Sequence, residues 1–196
     1  SAEDAVHAAG DNKVAMKIVS PDVQHKTEIG GVILNVSGDE DIASAYTTLE
    51  SRLRQHHPEA QFDGILVSPM IEGGVEIIMG TSQDPVFGPV VMVGLGGVLV
   101  EVLKDVSFRK APFDVDEAHM MIDELRGSAI LDGVRGAPPA DRNALAETLS
   151  SLSLYAAAEK DSIESIDINP LVVLEDGQGA VALDALIVPR DQRPDQ

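Results

Sequence analysis

The sequence has 196 residues, of which 44% are hydrophobic, so it can bury a core in one domain or in two small ones. Its 33 acidic and 14 basic residues leave a net charge of −19, which disfavours nucleic acid and anionic membrane surfaces as partners. Cysteine is absent, which excludes disulfides and thiolate sites and weakly favours a cytoplasmic location.

The first twelve residues have the pattern of a helix that ends at Gly10. We see no N-terminal cap for a helix that begins at the first residue. We therefore expect the chain to be a piece of a longer protein, cut on its N-terminal side.

The next stretch, from Val14 to Val36, has the features of a phosphate clamp. A buried strand that carries Lys17 is followed by a polar loop with His25 and Lys26, and a glycine pair opens a second apolar strand. Backbone N–H groups can approach phosphate oxygens where no Cβ intervenes, and lysine adds a mobile positive charge. The alternative is an ordinary hairpin in which Lys17 extends its charged end to water.

The rest of the chain divides into two subdomains, with a boundary near residues 72–74. Before the boundary, an amphipathic helix follows Asp39 and ends near His56, and residues 62–70 form a buried strand. After the boundary, the pattern predicts strands at 75–80, 90–93 and 98–103 and helices at 115–126 and 141–159. The expected organisation is a first subdomain over residues 1–72, a second over residues 73–188, and a tail over residues 189–196.

The last two strands, residues 165–174 and 180–188, are predicted to form a hairpin that carries carboxylates. The Asp-Gly pair at 176–177 is typical of a type I′ turn. With this turn Asn169 faces Asp184, and Asp167 lies on the same face because strand side chains alternate.

Acidic side chains on an otherwise apolar pair of strands suggest a cation site. Buried acids without partners are costly, and a divalent cation is a common remedy. Mg²⁺ takes one or two carboxylates and completes its shell with water and phosphate oxygens. The alternative is an acid on the solvent face of an edge hairpin.

Three blocks of sequence, in this order, resemble the ATP-grasp part of ADP-forming acyl-CoA synthetases, relatives of the β subunit of succinyl-CoA synthetase. The blocks are VAMKIVSPDVQHKTEIGGV, DPVFGPVVMVGLGGVLVEVLKDVSFRKAP and SIDINPLVV. The resemblance covers nearly all of residues 1–188. It implies a fold of the α+β (α/β) class, the ATP-grasp fold, in which two α+β subdomains clamp a nucleotide. The family's N-terminal helix and strand are missing ahead of residue 1.

The resemblance implies ATP or ADP and Mg²⁺ as cofactors. Lys17 would hold phosphate, residues 24–27 would lie over the phosphates, residues 68–71 would bind adenine through backbone groups, and Glu76 would bind the ribose. Arg109 belongs to a family motif whose role is not assigned. The residues expected to bind the nucleotide are Lys17, Gln24, Lys26, Thr27, Ser68, Met70, Ile71, Glu76 and Arg109.

The same resemblance assigns the metal and catalytic residues. Asn169 and Asp184 match the magnesium ligands of the family. His25 matches a histidine that carries phosphate transiently, and Asp167 matches an acidic position that steadies the incoming phosphohistidine. The alternative for His25 is a solvated loop histidine.

The resemblance implies that the chain is the ATP-grasp part of an enzyme, an acid–CoA ligase (ADP-forming). In this enzyme phosphate passes between ATP or ADP and a phosphohistidine relay. The expected partners are CoA-binding and ligase domains, as a separate α-type subunit or an upstream part of the same chain, within an oligomer. The fragment alone is expected to be inactive. A regulatory or structural module of a protein lysine acetyltransferase is the alternative. A plain binding module would instead show no metal-dependent nucleotide binding.

Overall fold

A computed structural model gives the fold of residues 1–23, 26–97, 104–134 and 136–190. Gln24, His25 and the strand predicted at residues 98–103 lie outside these described ranges. The chain separates into two units, Ser1–Glu72 and Gly73–Gln196, each with its own hydrophobic core.

The first unit is a three-stranded antiparallel sheet with two helices packed against it. Its elements are α1 (Ala2–Ala9), β1 (Val14–Val19), a 3₁₀ turn (Lys26–Ile29), β2 (Val32–Val36), α2 (Asp39–His56) and β3 (Gly64–Pro69). Strand β1 lies in the centre, between β2 and β3. The core joins Met16 and Ile18 of β1 to Ile42, Leu49 and Leu53 of α2, so the predicted amphipathic helix is confirmed.

The expectation that α1 lacks a cap is wrong. The Ser1 hydroxyl oxygen accepts a hydrogen bond from the Asp4 N–H at 3.3 Å, and the Ser1 N-terminal ammonium group donates to the Asp4 carboxylate at 3.0 Å. This reciprocal pair is a capping box, which satisfies N–H groups that have no partner inside the helix.

The second unit is built on an antiparallel six-stranded sheet in the order β6-β5-β4-β7-β8, with β9 also paired to β7. Its elements are β4 (Val75–Asp84), β5 (Gly88–Leu95), β6 (Val106–Lys110), α3 (Val115–Asp123), a 3₁₀ turn (Ser128–Asp132), α4 (Arg142–Ala158), β7 (Ile163–Val173), β8 (Ala180–Ala182) and β9 (Ala185–Pro189). Within the described ranges, no helix has the length and hydropathy needed to cross a bilayer.

Helices α3 and α4 cover one face of this sheet. Met121 of α3 and Leu145 and Leu149 of α4 share a fully buried core with alternate residues of β4 and β5. Helix α3 ends at Asp123, three residues before the predicted end. The reason is tertiary: the buried Asp105 carboxylate accepts the N–H groups of residues 126 and 127 at 2.9 Å each, which draws the chain away from the helix.

The predicted register of the C-terminal hairpin is confirmed. Strand β7 pairs Asp167 with Leu186 on β9 and Leu171 with Ala182 on β8, in one continuous register. The predicted second strand is divided into β8 and β9 by residues 183–184. The Asn169 N–H donates to the Asp184 carbonyl at 3.1 Å, so these two residues face each other as expected.

The predicted turn type of this hairpin is wrong. A type I′ turn needs positive φ at both central residues, and Gly177 has φ 82° whereas Asp176 does not have a positive φ. The Gln178 N–H donates to the Glu175 carbonyl at 2.8 Å, so the turn resembles type II, which needs positive φ only at its second central residue.

Candidate functional site

Lys17 lies in the middle of the first unit's sheet, on the face opposite the core. Its neighbours in register are Val32 on β2 and Leu66 on β3. Because Met16 and Ile18 point into the core, alternation places Lys17 on the other face, which it shares with Ser68. Lys17 is only 9% exposed. Lys17 is therefore packed between the two neighbouring strands, and its role in binding phosphate stays a prediction.

The loop after β1 brings Lys26 and Thr27 to the end of that strand in a 3₁₀ turn. The Gly31 N–H donates to the Lys26 carbonyl at 2.7 Å, and the Arg52 guanidinium donates to the Gly30 carbonyl at 2.6 Å. A Cβ on Gly31 would come within 2.8 Å of the Lys26 carbonyl oxygen. The second glycine of the pair is thus required by its close approach to the Lys26 backbone. Its N–H is used within this loop, so it is not the group that offers a hydrogen bond to a phosphate oxygen.

The predicted adenine hinge, Ser68–Ile71, begins in the last two residues of β3 and continues for two residues beyond the strand. The Met70 N–H donates to the Lys13 carbonyl at 3.1 Å, so it is not available to a base. Any recognition of adenine by this segment therefore has to use its other backbone groups. The assignment of Ser68, Met70 and Ile71 to the base stays a prediction.

The six-stranded sheet has a second face, against which neither α3 nor α4 packs. We call it the helix-free face, with reference to the described residues alone. Buried Ile77, Met79 and Val91 mark the covered face, and the residues that alternate with them belong to the helix-free face. Its described members include Glu76, Ile78, Gly80, Ser82, Val90, Met92, Phe108, Lys110, Asp167, Asn169, Asp184 and Leu186. Four of the residues predicted from the sequence therefore share one surface.

Asn169 and Asp184 offer the oxygen donors of a cation site on this face. They are cross-strand neighbours, a position in which Cβ atoms lie about 5 Å apart, and the exposed Asp167 lies two residues before Asn169. In the part of the chain that the structure describes, no group of three or more His, Cys, Asp or Glu side chains could hold a metal by itself. The donor set fits a hard cation with few protein ligands, such as Mg²⁺, whose shell is completed by water and phosphate.

A cavity of about 500 Å³ lies at the end of the second unit's sheet, beside Glu76. Apolar side chains such as Leu95, Ile130 and Pro138 form most of its wall, and Glu76 and Glu175 are its acidic residues. The sequence interpretation missed this cavity because its walls come from four separate segments. The only signal in the sequence was the glycine- and proline-rich composition of two of the loops.

Arg109 is not brought to the helix-free face. It pairs in register with Val91, on the covered face, and its guanidinium is hydrogen-bonded to Glu117 of α3 and to Glu124. The bond to Glu124, followed by that to Glu117, raises the pKa of Arg109, and the same bond to Arg109 lowers the pKa of Glu124. Two carboxylates would compete with a phosphate for this guanidinium, so a role of Arg109 in nucleotide binding stays a prediction.

Comparison with known proteins agrees with this architecture. Residues 1–188 match the family model described as the ATP-grasp domain. This chain belongs to the ATP-grasp domain family. One relative is the β subunit of ADP-forming acetate–CoA ligase I from Pyrococcus furiosus, 42% identical over 188 residues that cover 95% of this chain and 80% of that subunit.

The domain also matches part of a longer relative. ADP-forming acetate–CoA ligase I from Archaeoglobus fulgidus is 46% identical over 168 residues, which cover 86% of this chain and 24% of that ligase. The domain thus spans about a quarter of the length of this relative.

Solved structures of the dinucleotide-forming acetyl-coenzyme A synthetase 1 of Ca. Korarchaeum cryptofilum share the fold. One, with coenzyme A and Ca-AMPCP, has a TM-score of 0.90 and 38% identity over 97% of this chain and 82% of that chain. Another has a TM-score of 0.81 and 35% identity over 97% of this chain and 83% of that chain. It holds coenzyme A and Mg-AMPPCP, and its phosphohistidine segment points towards the nucleotide-binding site. The predicted ATP-grasp fold and the resemblance to ADP-forming acyl-CoA synthetases are confirmed.

Proposed function

We propose that this ATP-grasp domain is the nucleotide-binding part of an ADP-forming acyl-CoA synthetase. It transfers phosphate between ATP or ADP and a histidine relay, coupled in other domains to the interconversion of acyl-CoA and acyl phosphate. The observation that carries the proposal is the gathering of Asp167, Asn169 and Asp184 on one face of the sheet. Relatives that bear the name of ADP-forming acetate–CoA ligase support it.

Phosphoryl transfer needs positioning and charge neutralisation more than covalent help from the protein. Asn169 and Asp184 would hold Mg²⁺, which neutralises phosphate charge and orients the transferred group. A chain with a net charge of −19 repels ATP at long range. Local positive charge therefore has to offset this repulsion, and Lys17 would supply it to the phosphate oxygens.

The remaining contacts to the nucleotide would come from the loop after β1, from backbone groups after β3 and from one carboxylate. Residues 24–27, including Gln24, Lys26 and Thr27, would lie over the phosphates. Backbone groups of residues 68–71 other than the Met70 N–H would bind adenine. The ribose hydroxyls would donate hydrogen bonds to the Glu76 carboxylate, which is exposed near the start of β4.

His25 would act as the relay. A neutral imidazole nitrogen attacks the γ-phosphorus of ATP, so an N–P bond forms while the P–O bond to ADP breaks, and the reverse step regenerates ATP. Histidine is suited to such a relay because its charge state changes in the physiological pH range. Asp167 would accept a hydrogen bond from the imidazole of an incoming phosphohistidine and hold its ring in place.

The proposal includes partners that this chain does not contain. CoA-binding and ligase domains would supply the phosphohistidine, as an α-type subunit or an upstream part of the same chain, in an oligomeric assembly. A cytoplasmic location is part of the proposal. The alternative of a module in a protein lysine acetyltransferase is not supported by the relatives described above, which bear the names of CoA ligases.

The test compares Asp184→Asn with Asp176→Asn in the intact assembly. Asp184→Asn keeps the shape of the side chain but removes its charge. It should weaken Mg·ATP binding by about tenfold or more, since even outer-shell changes cost metal sites about 10–100-fold, and it should block transfer of label from ATP to histidine. Asp176→Asn, at the exposed hairpin turn, should change neither. Unchanged magnesium-dependent binding in Asp184→Asn would contradict the metal assignment, and no nucleotide binding by the unmodified assembly would contradict the function.

A further inference from the structure

The helix-free face carries a row of residues that runs straight from Asp167 to the edge of the sheet. Asp167 is paired with Leu186 and with Gly80, Gly80 with Met92, and Met92 with Phe108. We propose that the apolar end of this row, Met92 and Phe108, docks the peptide segment that carries the phosphorylated histidine to Asp167. This proposal rests on the proposed function and adds the surface that receives the partner.

Gly80 lies in this row between Met92 and Asp167. A Cβ at Gly80 would lie 2.5 Å from the Ile166 carbonyl oxygen, closer than real Cβ atoms approach backbone. Glycine is therefore required for β4 and β7 to come together. Gly80 itself is buried, so a peptide on this face would contact the side chains of Met92 and Asp167 on either side of the glycine.

Phe108 is the exposed anchor at the far end. It is 57% exposed, although aromatic residues make up only 3% of the sequence, and Met92 beside it is half-buried. Exposed apolar side chains grouped next to a polar site are typical of an interaction surface. An aromatic ring is also the type of side chain that most often dominates binding energy at an interface.

The positive charge of Lys110 favours the binding of an anionic segment at this end of the row. Lys110 is exposed, lies two residues after Phe108, and is on the same face, because it pairs with Val90. The net charge of −19 repels a phosphorylated peptide at long range. A cation beside an apolar anchor therefore matches a segment that carries phosphate and an apolar residue.

The geometry also sets the spacing within the segment. Three strand-to-strand steps separate β6 from β7, which is about 14 Å at the usual spacing of about 4.8 Å. An extended peptide covers about 3.3 Å per residue. The residue that contacts Phe108 should therefore lie about four positions from the phosphorylated histidine.

The experiment measures single-turnover transfer of ³²P from labelled ATP to the ligase histidine in the intact assembly. Phe108→Ser should slow transfer about tenfold, as truncation of an interface anchor does, and leave the Kd for Mg·ATP unchanged. Phe108→Leu, which keeps the apolar contact, should restore most of the rate. Lys110→Glu should slow transfer at low salt, and the effect should shrink as salt screens the charge. Phe87→Ser is the matched control: Phe87 is 61% exposed, lies in the β4–β5 turn away from this row, and should have no effect.

The outcomes separate this proposal from the proposed function. A wild-type transfer rate in Phe108→Ser, with Mg·ATP still bound, would overturn the docking surface and leave the proposed function standing. A changed oligomeric mass in light scattering with an unchanged transfer rate would make the patch an interface between copies, which also overturns it. Parallel loss of Mg·ATP binding and transfer in Phe108→Ser would overturn it too. An unmodified assembly that binds no nucleotide would overturn the proposed function instead.

Discussion

Asp141 connects the long helix α4 to the hairpin that carries the predicted metal ligands. Its buried carboxylate accepts the Ala144 N–H, as the N-cap of α4, and the N–H groups of Gly177 and Gly179 in the hairpin turn, each at 3.0 Å. Replacement by alanine removes all three bonds. We expect Asp141→Ala to destabilise the second unit and to loosen the turn that places Asp184 opposite Asn169.

The size of the effect follows from these three contacts. Loss of an N-cap acceptor costs about 1 kcal/mol, and each further hydrogen bond from the turn adds about 1 kcal/mol, since water can partly replace it there. The expected loss in the free energy of unfolding is about 3 kcal/mol. For a chain of this size that corresponds to a fall in Tm of about 9 °C.

Thermal unfolding followed by circular dichroism measures this directly, with Asp114→Ala as the matched control. Asp114 caps α3 through one bond, from the Glu117 N–H at 2.9 Å, and contacts no turn of the hairpin in the described contacts. Its loss should cost about 1 kcal/mol. Equal effects of the two substitutions would refute the reasoning, because the contacts to the turn would then contribute nothing.

The pH dependence gives an independent check on Asp141. Backbone N–H groups, first that of Ala144 and then that of Gly179, lower the pKa of its carboxyl group. Since the folded pKa is below the unfolded value of about 3.9, the ionised carboxylate stabilises the fold fully above about pH 4. This stabilisation is lost as the pH falls through the folded pKa. The stability difference between the unmodified protein and Asp141→Asn should therefore shrink below about pH 4, and a difference that grows there would contradict the assignment.

The remaining predictions concern the nucleotide. Lys17→Ala should lower the affinity for Mg·ATP in calorimetry, since the lysine would contact phosphate in both ground and transition states. Lys13→Ala, which removes an exposed lysine whose Nζ lies 3.7 Å from the Glu72 carboxylate, should leave the affinity unchanged. Equal affinities of the two variants would remove Lys17 from the site. His25→Asn should keep folding and nucleotide binding but block phosphate passage between the ligase histidine and ADP, because an amide cannot form the phosphoramidate. Mapping of acid-labile phosphate tests this, with His57→Asn as the control, and a wild-type rate would show that His25 is not a relay.

Local pattern in the sequence was enough to predict several elements and one part of the site. Helices α2 and α4 follow from apolar spacing, because a helix buries one stripe whatever it packs against. The facing positions of Asn169 and Asp184 follow from the location of a tight turn, because register is set by turn position and a slip would expose the buried face. The predicted turn type was wrong because the Asp141 carboxylate, far away in the sequence, accepts hydrogen bonds from the N–H groups of Gly177 and Gly179. These bonds stabilise a different backbone conformation of the turn.

What the sequence by itself determined are the strands predicted within the described ranges, the main helices, the hairpin register and the chemical types of residue available to bind a nucleotide. These depend on periodicity and turn chemistry within short stretches of chain. Only the tertiary structure decided that Arg109 faces α3 and is held by two glutamates, and that the cavity beside Glu76 is formed from four segments. It alone showed that a row of paired residues runs across the sheet from Asp167 through Gly80 and Met92 to Phe108. Such arrangements depend on which strands become neighbours, and that choice is made by packing of the whole core rather than by any local stretch.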